Sequence, residues 1–448
     1  MSADRVLVVG LDCAAPALVF DRLARALPNL SALRRRGAWG RLRSVAPPIT
    51  VPAWACMVSG RDPGELGRYG FRERAHGAYE LALGAGTTEA PRVWDLASAH
   101  GKTSCVLYVP MTSPPPRVRG VSVGDFLGVA PPYTHPPELA ARLEARFGPH
   151  APDVSEFRTD ALDRLLDELY ETTRRRFAIG RALFREERPD LTMMVEMGTD
   201  RLHHAMWRHL DPSHPDHDPH DPRVRDARDY YAFVDAELGA WLDEAGEDTT
   251  VLVVSDHGAR PMRGAVAINE WLRREGWLVL SHAPPQPSAL TPAMVDWTRT
   301  RAWSAGGYYA RVFLNLRGRE PEGIVTDREA ALAELALALE ADPALRARAH
   351  RPEALYRQAN GAPPDLLVFF GELDYRSSGL VGGDVLAADD GRGPDGCNHD
   401  WDGIVVAAGP AIASRGELAP RSIHDVGPTI LGALGLATPP DWLGSAIP

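Results

Sequence analysis

The chain has 448 residues, 44% hydrophobic and 24% charged, a globular composition long enough for one large domain with insertions or for two domains. Its formal net charge of −11 excludes a general nucleic-acid binder, whose footprint is basic, but not an anionic substrate, because bound cations reverse the local field. Cys13, Cys56, Cys105 and Cys397 show no C-x-x-C spacing, so neither a zinc knuckle nor a disulfide framework is expected.

In chain order, the opening MSADRVLVVGLD carries no basic segment ahead of a long apolar core. No apolar run reaches transmembrane length, so a cytoplasmic location without membrane contact is expected. Within that opening, RVLVVGLD (5–12) reads as a strand buried on both faces, as in a parallel sheet. Next, SVAPPITVPAWACMVSG (44–60) sets Thr50 among prolines ahead of an apolar helical run. Taken alone, Thr50 reads as an N-cap with Pro52 in the first turn.

Strand-like runs recur at SCVLYVP (104–110), LTMMVEMG (191–198), TTVLVVSDHG (249–258), DLLVFF (365–370) and GIVVAAGP (403–410). Helical patterns alternate with them, including LPNLSALRRRG, DALDRLLDELYETTRRRFAIGRALFREE and REAALAELALALEADPALRARAH. This alternation predicts an α/β sandwich with a mostly parallel sheet. A single catalytic domain over 1–448 is expected, with cap-like insertions at roughly 111–160 and 260–360.

Ligands of such sheets gather at the carboxyl ends of the strands, and three of those ends carry acidic residues. Asp12 ends the first strand, Asp200 follows the run ending at Gly198, and Asp256 with His257 ends VLVVS. Asp200 and His204 are four apart and share one helix face, whereas His203 points about 100° away. Asp256 and His257 reach a common ion only if the chain turns there, which Gly258 permits. His399 lies in the polar loop GCNHDWDG before the last strand. Three Asp and three His divide into two sites of three ligands, suited to zinc and compatible with manganese. Two such ions form a clamp for in-line displacement at phosphorus, and Thr50 is a hydroxyl they would activate.

These residues sit in stretches that resemble the alkaline phosphatase superfamily, and within it the type I phosphodiesterase/nucleotide pyrophosphatase family and its phosphohydrolase/phosphomutase branch. The resemblance rests on VLVVGLDCAAP, PPITVPAWACMVSGRDPGELGRYGF, TDRLHHAMWRHLDPSHP, VVSDHGARPMRGAVAINEWLRREGWL, NHDWDGIVVAAGPAI and HDVGPTILGALGL, in the family's order. It implies an alkaline-phosphatase-like three-layer sandwich. It implies one metal on Asp200, His204 and His399, and a second on Asp12, Asp256 and His257 with Thr50 Oγ. It also implies a phospho-threonine intermediate on Thr50.

One segment departs from the pattern. In ELGRYGF, Leu66 replaces the usual His, Arg68 an Ile, and Gly70 stands where the family carries a polar residue, an Asn that binds a phosphate oxygen in nucleotide pyrophosphatases. Arg68, Arg72 and Arg263 are candidates for that contact by charge.

The expected activity is metal-dependent hydrolysis of a small phosphodiester, pyrophosphate or phosphomonoester, with nucleotide-containing substrates included and no stable nucleic-acid partner. Phe126, Tyr133 and Trp207 are candidates for a substrate wall, with core packing as the plainer reading. Two alternatives are a phosphoglycerate-mutase-like phosphotransferase and an inactive binding protein on the same fold. A sulfatase is disfavoured, because Thr50-Val51-Pro52-Ala53-Trp54 offers neither the modifiable Cys or Ser nor the Arg of that motif.

Overall fold

A computed structural model describes residues 5–84, 88–128 and 131–448. The chain divides into two compact units. The first comprises residues 5–62, 88–128, 131–259 and 400–448; the second comprises 63–84 and 260–399. The stretch expected as an insertion at 111–160 belongs to the first unit, and the stretch at 260–360 lies within the second.

The first unit is built on a sheet of ten described strands. Its centre is parallel, in the order Thr249–Val254, Arg5–Leu11, Leu191–Glu196, Ser104–Leu107 and Gly120–Val123. Asp402–Ala408 and Ala38–Arg43 extend it antiparallel on one side, and Thr134–His135 closes the other. The runs VLVV and LTMMVE are buried at every position, as strands covered on both faces require. Helices supply the cover in two groups. Pro28–Arg36, Leu162–Glu187, Gly198–Leu210 and Arg223–Ala245 pack among themselves, and Thr50–Ser59, Val93–Ala99 and Val426–Ala433 pack through the last helix. Two helix layers around one sheet give the expected α/β sandwich. Among the described residues no helix is long and apolar enough to cross a membrane.

The second unit has its own sheet of seven described strands. Its main path runs Ala302–Ala305, Ala310–Leu314, Leu366–Phe370, Tyr375–Ser378, Gly264–Ala267 and Leu386–Ala387. DLLVFF therefore forms a strand as expected, but in this second sheet. Trp271, Trp277, Trp297, Trp303 and Phe313, with Leu332, Leu335 and Leu339 of the helix Arg328–Ala341, fill its core.

Candidate metal centre

The strand Arg5–Leu11 delivers Asp12 to the carboxyl end of the sheet, between Leu191–Glu196 and Thr249–Val254. Asp12 N–H donates to Glu196 O at 3.0 Å, and Thr199 Oγ1 donates to Asp12 O at 2.6 Å, so the backbone here is held from the neighbouring strand end. Two residues past Glu196 the helix Gly198–Leu210 begins, and Asp200 lies in its first turn. His204 sits one turn later with Nε2 3.4 Å from Asp200 Oδ1, the shared face that the four-residue spacing requires. His203 turns to the Tyr231 hydroxyl at 2.7 Å.

Asp256 and His257 follow the strand Thr249–Val254 and are fully buried. Ser255 Oγ accepts from Ala14 N–H at 2.8 Å and donates to His257 O at 2.7 Å, while Asp256 Oδ1 accepts from Cys13 N–H at 3.2 Å. The chain bends at Asp256, between the strands Thr249–Val254 and Gly258–Pro261, and any Cβ on Gly258 would run into the Asp402 carbonyl. Close backbone approach, and not a left-handed turn, demands the glycine.

Thr50 also departs from its plain sequence reading. Ile49 is the N-cap of the helix Thr50–Ser59, and no side-chain capping bond is made. Thr50 is the first helical residue, 1% exposed, with Oγ1 3.3 Å from His257 Nε2. His257 Nδ1 faces Gly258 O at 3.1 Å, and a carbonyl can only accept. In the neutral ring the proton therefore sits on Nδ1, which leaves Nε2 as a lone pair able to accept from Thr50 or to ligate a cation.

Ligand atoms of Asp12, Asp200 and His257 lie within 4.8 Å of one another, all buried. Burial first, and then the charge of Asp200, pushes the Asp12 carboxyl well above the usual range; burial and then Asp12 do the same to Asp256. Asp12 Oδ1 and Asp256 Oδ2 have no hydrogen-bond partner among the described residues and face His257 Nε2 at 3.7 and 3.2 Å. Mutually repelling buried carboxylates with bare oxygens beside an imidazole lone pair are the donor set that a divalent zinc or manganese ion satisfies.

Two residues of this centre were missed from the sequence. Trp54, one turn after Thr50, donates its indole N–H to Asp12 Oδ2 at 2.7 Å. Its i,i+4 spacing from Thr50 is the signal that was available. Arg201 donates Nη1–H to Asp200 Oδ2 at 2.7 Å and Nε–H to Asp153 Oδ2 at 3.0 Å. Burial acts to lower the pKa of Arg201, but Asp153 and Asp200 hold it above its ordinary value.

His399, Arg68, Arg72 and Arg263 belong to the second unit. His399 is buried on the strand Cys397–Asp400, its ring stacked on Tyr308 with centroids 3.8 Å apart. Arg68 follows the short helix Pro63–Leu66, and its N–H donates to Pro63 O at 2.8 Å. Arg72 opens the strand Arg72–Arg74, and half-exposed Arg263 lies 3.6 Å from Asp374 Oδ2. The unusual ELGRYGF segment is fastened within this unit. Glu73 Oε1 accepts from Tyr69 N–H at 2.8 Å and Gly70 N–H at 3.2 Å, and Tyr309 O–H donates to Tyr69 O at 2.7 Å. A side chain at Gly70 would meet Arg311 Nη1 at 3.3 Å, so the missing polar group has a guanidinium beside its place, from a residue the sequence did not point to. Of the substrate-wall candidates, Trp207 is buried, Tyr133 stacks on His150 with centroids 3.9 Å apart, and Phe126 lies under Arg201 at 5.1 Å.

Residues 6–382 match the family model of type I phosphodiesterase / nucleotide pyrophosphatase. The chain belongs to this family. Phosphodiesterase/nucleotide pyrophosphatase enzymes hydrolyse phosphoester or anhydride bonds, and Asp12, Asp200, His204, Asp256 and His257 lie within the matched region, with His399 beyond it. Among solved structures, human ectonucleotide pyrophosphatase / phosphodiesterase 5 is similar at 15% identity and TM-score 0.58, over 97% of this chain and 96% of that one. Phosphonoacetate hydrolase from Sinorhizobium meliloti 1021, in complex with phosphonoacetate, is similar at 16% identity and TM-score 0.60, over 91% and 90%. An inactive murine phosphodiesterase 5 variant in complex with AMP is similar at 14% identity and TM-score 0.58, over 98% and 96%. At these identities the likeness establishes the shared α/β fold. No curated protein matches the sequence.

Proposed function

We propose that this family member is a divalent-metal-dependent phosphodiesterase-type hydrolase in which Thr50 is the nucleophile. The observation that carries the reading is the buried Thr50 hydroxyl 3.3 Å from His257 Nε2, in contact with a cluster of acidic and imidazole ligands. Asp12, Asp256 and His257 would hold one ion beside Thr50; Asp200 and His204 would hold the other, with His399 joining them on the strength of the sequence resemblance. Bound there, the ions supply Lewis acidity toward phosphoryl oxygen and lower the pKa of a neighbouring hydroxyl.

The chain's own contribution is orientation. Thr50 stands at the positive end of its helix, where Pro52 lacks an N–H and Ala53 N–H is bonded to Ile49 O at 2.9 Å. The N–H groups of Thr50 and Val51 are left without intrahelical acceptors and suit an anionic phosphoryl group. Trp54 fixes the Asp12 carboxylate and Arg201 fixes that of Asp200, so both are aimed before substrate arrives. The murine relative in complex with AMP and the bacterial relative in complex with phosphonoacetate make a small organic phosphate or phosphonate the substrate class to try first.

The test is hydrolysis by metal-replete protein of bis(p-nitrophenyl) phosphate, p-nitrophenyl phosphate, a dinucleotide and phosphonoacetate, with Thr50→Ala and Thr50→Ser in parallel. The reading expects diester or anhydride turnover by wild type, loss of at least about a thousandfold in Thr50→Ala, and partial activity in Thr50→Ser. Full activity of Thr50→Ala contradicts it.

A further inference from the structure

The second unit holds an open cavity of about 440 Å³, a size suited to a small organic ligand. All of its lining residues belong to that unit, and none belongs to the acidic-histidine cluster. Its wall combines two chemistries. Arg72, Arg311 and Arg392 bring three guanidinium groups, against the single carboxylate of Glu80. Tyr79, Trp297 and Trp303 bring an aromatic face, in which Tyr79 stacks on Trp297 with centroids 3.6 Å apart and Trp303 meets both edge-on.

The charge is the telling part in a chain whose net charge is −11. Arg311 is 8% exposed, and one N–H is given to the Arg72 carbonyl. Among the described residues neither Arg72 nor Arg311 forms an ion pair. A buried guanidinium without a counter-ion is costly unless an anion completes it. Glu73 is the carboxylate whose field Arg311 feels, but burial pushes it up to about 7, so it is only partly ionised near neutrality. The Trp303 indole N–H is buried and has no hydrogen-bond partner among the described residues, which adds a donor at the aromatic wall.

We propose that this cavity is a binding site for a small aromatic anion: a planar ring against the Tyr79–Trp297–Trp303 face, with a phosphate or carboxylate group on Arg72 and Arg311. A guanidinium fork matches either anion with paired N–H donors. The inference does not rest on the metal-centre reading.

The test is calorimetric titration of the full chain, metal-loaded and chelator-treated, with AMP, adenosine and inorganic phosphate as probes. Chelator treatment removes the ion-dependent affinity of the other centre, so the two readings fail separately. The expected result is AMP binding that survives chelation and is at least about tenfold tighter than that of adenosine or phosphate. Arg72→Gln, an exposed residue, is expected to weaken it about tenfold, and Arg311→Met by more. Because Arg311 also braces the Arg72 carbonyl, Arg72→Gln decides the matter if Arg311→Met fails to fold. No AMP binding after chelation, or AMP binding unchanged in Arg72→Gln, overturns the site. Phosphate binding as tight as AMP overturns the aromatic half of it. Inhibition of dinucleotide hydrolysis by AMP that Arg72→Gln relieves identifies the ligand as part of the substrate. AMP binding after chelation that leaves dinucleotide hydrolysis by the wild-type protein uninhibited supports the site as one for a separate small molecule.

Discussion

The Trp54 indole N–H donates to Asp12 Oδ2 at 2.7 Å, one helical turn from the Thr50 hydroxyl. One helix face therefore carries both the proposed nucleophile and the group that aims a ligand of the proposed metal centre. Trp54→Phe keeps an aromatic ring at this buried position but removes the indole donor along with part of the ring volume. It is expected to lower metal affinity by about 10- to 100-fold, with turnover falling at limiting metal and largely recovering in excess. Metal content after dialysis, read against activity, checks this.

Gly10 makes room for that ring. A Cβ on Gly10 would collide with Trp54 Cη2 and stand 2.9 Å from Val195 Cγ2. Both neighbours are packed in the core, so Gly10→Ala is expected to cost about 1–3 kcal/mol of stability and to disturb Asp12 through Trp54. Chemical denaturation gives the first quantity, and metal retention the second.

Arg201 stands between Asp153 and Asp200, with little solvent reaching any of the three. Arg201→Met leaves two carboxylates without their cation and is expected to cost about 3–5 kcal/mol. Arg201→Lys keeps the charge but not the fork that reaches both carboxylates, so metal affinity is expected to fall with less loss of stability. Thermal unfolding of both variants, with and without added zinc, separates the two effects.

Glu73 makes the second unit sensitive to pH. Burial raises its pKa from 4.5 to about 7, against the pull of the Tyr69 N–H and the Arg311 charge. The folded state then holds the proton more tightly than the unfolded state. This contribution is full below about 4.5 and is lost as pH rises through about 7, a change of about 3 kcal/mol. Glu73→Gln keeps an acceptor for Tyr69 N–H and is expected to flatten that part of the stability profile. Denaturant titrations from acidic to neutral pH provide the comparison.

The framework of the site was legible because its spacings are fixed by local geometry. Asp200 and His204 share a face through helical periodicity alone, and Asp12 and Asp256 end buried runs that could only be strands. What stayed hidden depends on partners remote in sequence. Trp54 lies 42 residues from Asp12, and Arg201 lies 48 from Asp153. The proximity of Arg311 to Gly70 is likewise a fact of packing. DLLVFF looks like any other buried strand, yet it pairs in the second sheet, because an apolar run does not name its neighbours. The capping role read for Thr50 failed for a local reason. Ile49 takes the extended N-cap conformation, which draws Thr50 into the helix and points its hydroxyl at His257.

The central claim is that Thr50 becomes covalently phosphorylated during turnover. Its most direct test is acid quenching of metal-replete protein within the first turnovers on bis(p-nitrophenyl) phosphate, followed by peptide mapping of residues 44–60 by mass spectrometry. The account predicts a p-nitrophenylphosphoryl ester on Thr50, formed with release of one p-nitrophenolate, that is absent from the Thr50→Ala protein and decays once substrate is exhausted. Substrate turnover with the peptide unmodified at every quench time, in a protein whose Thr50→Ala variant turns over equally fast, would contradict it.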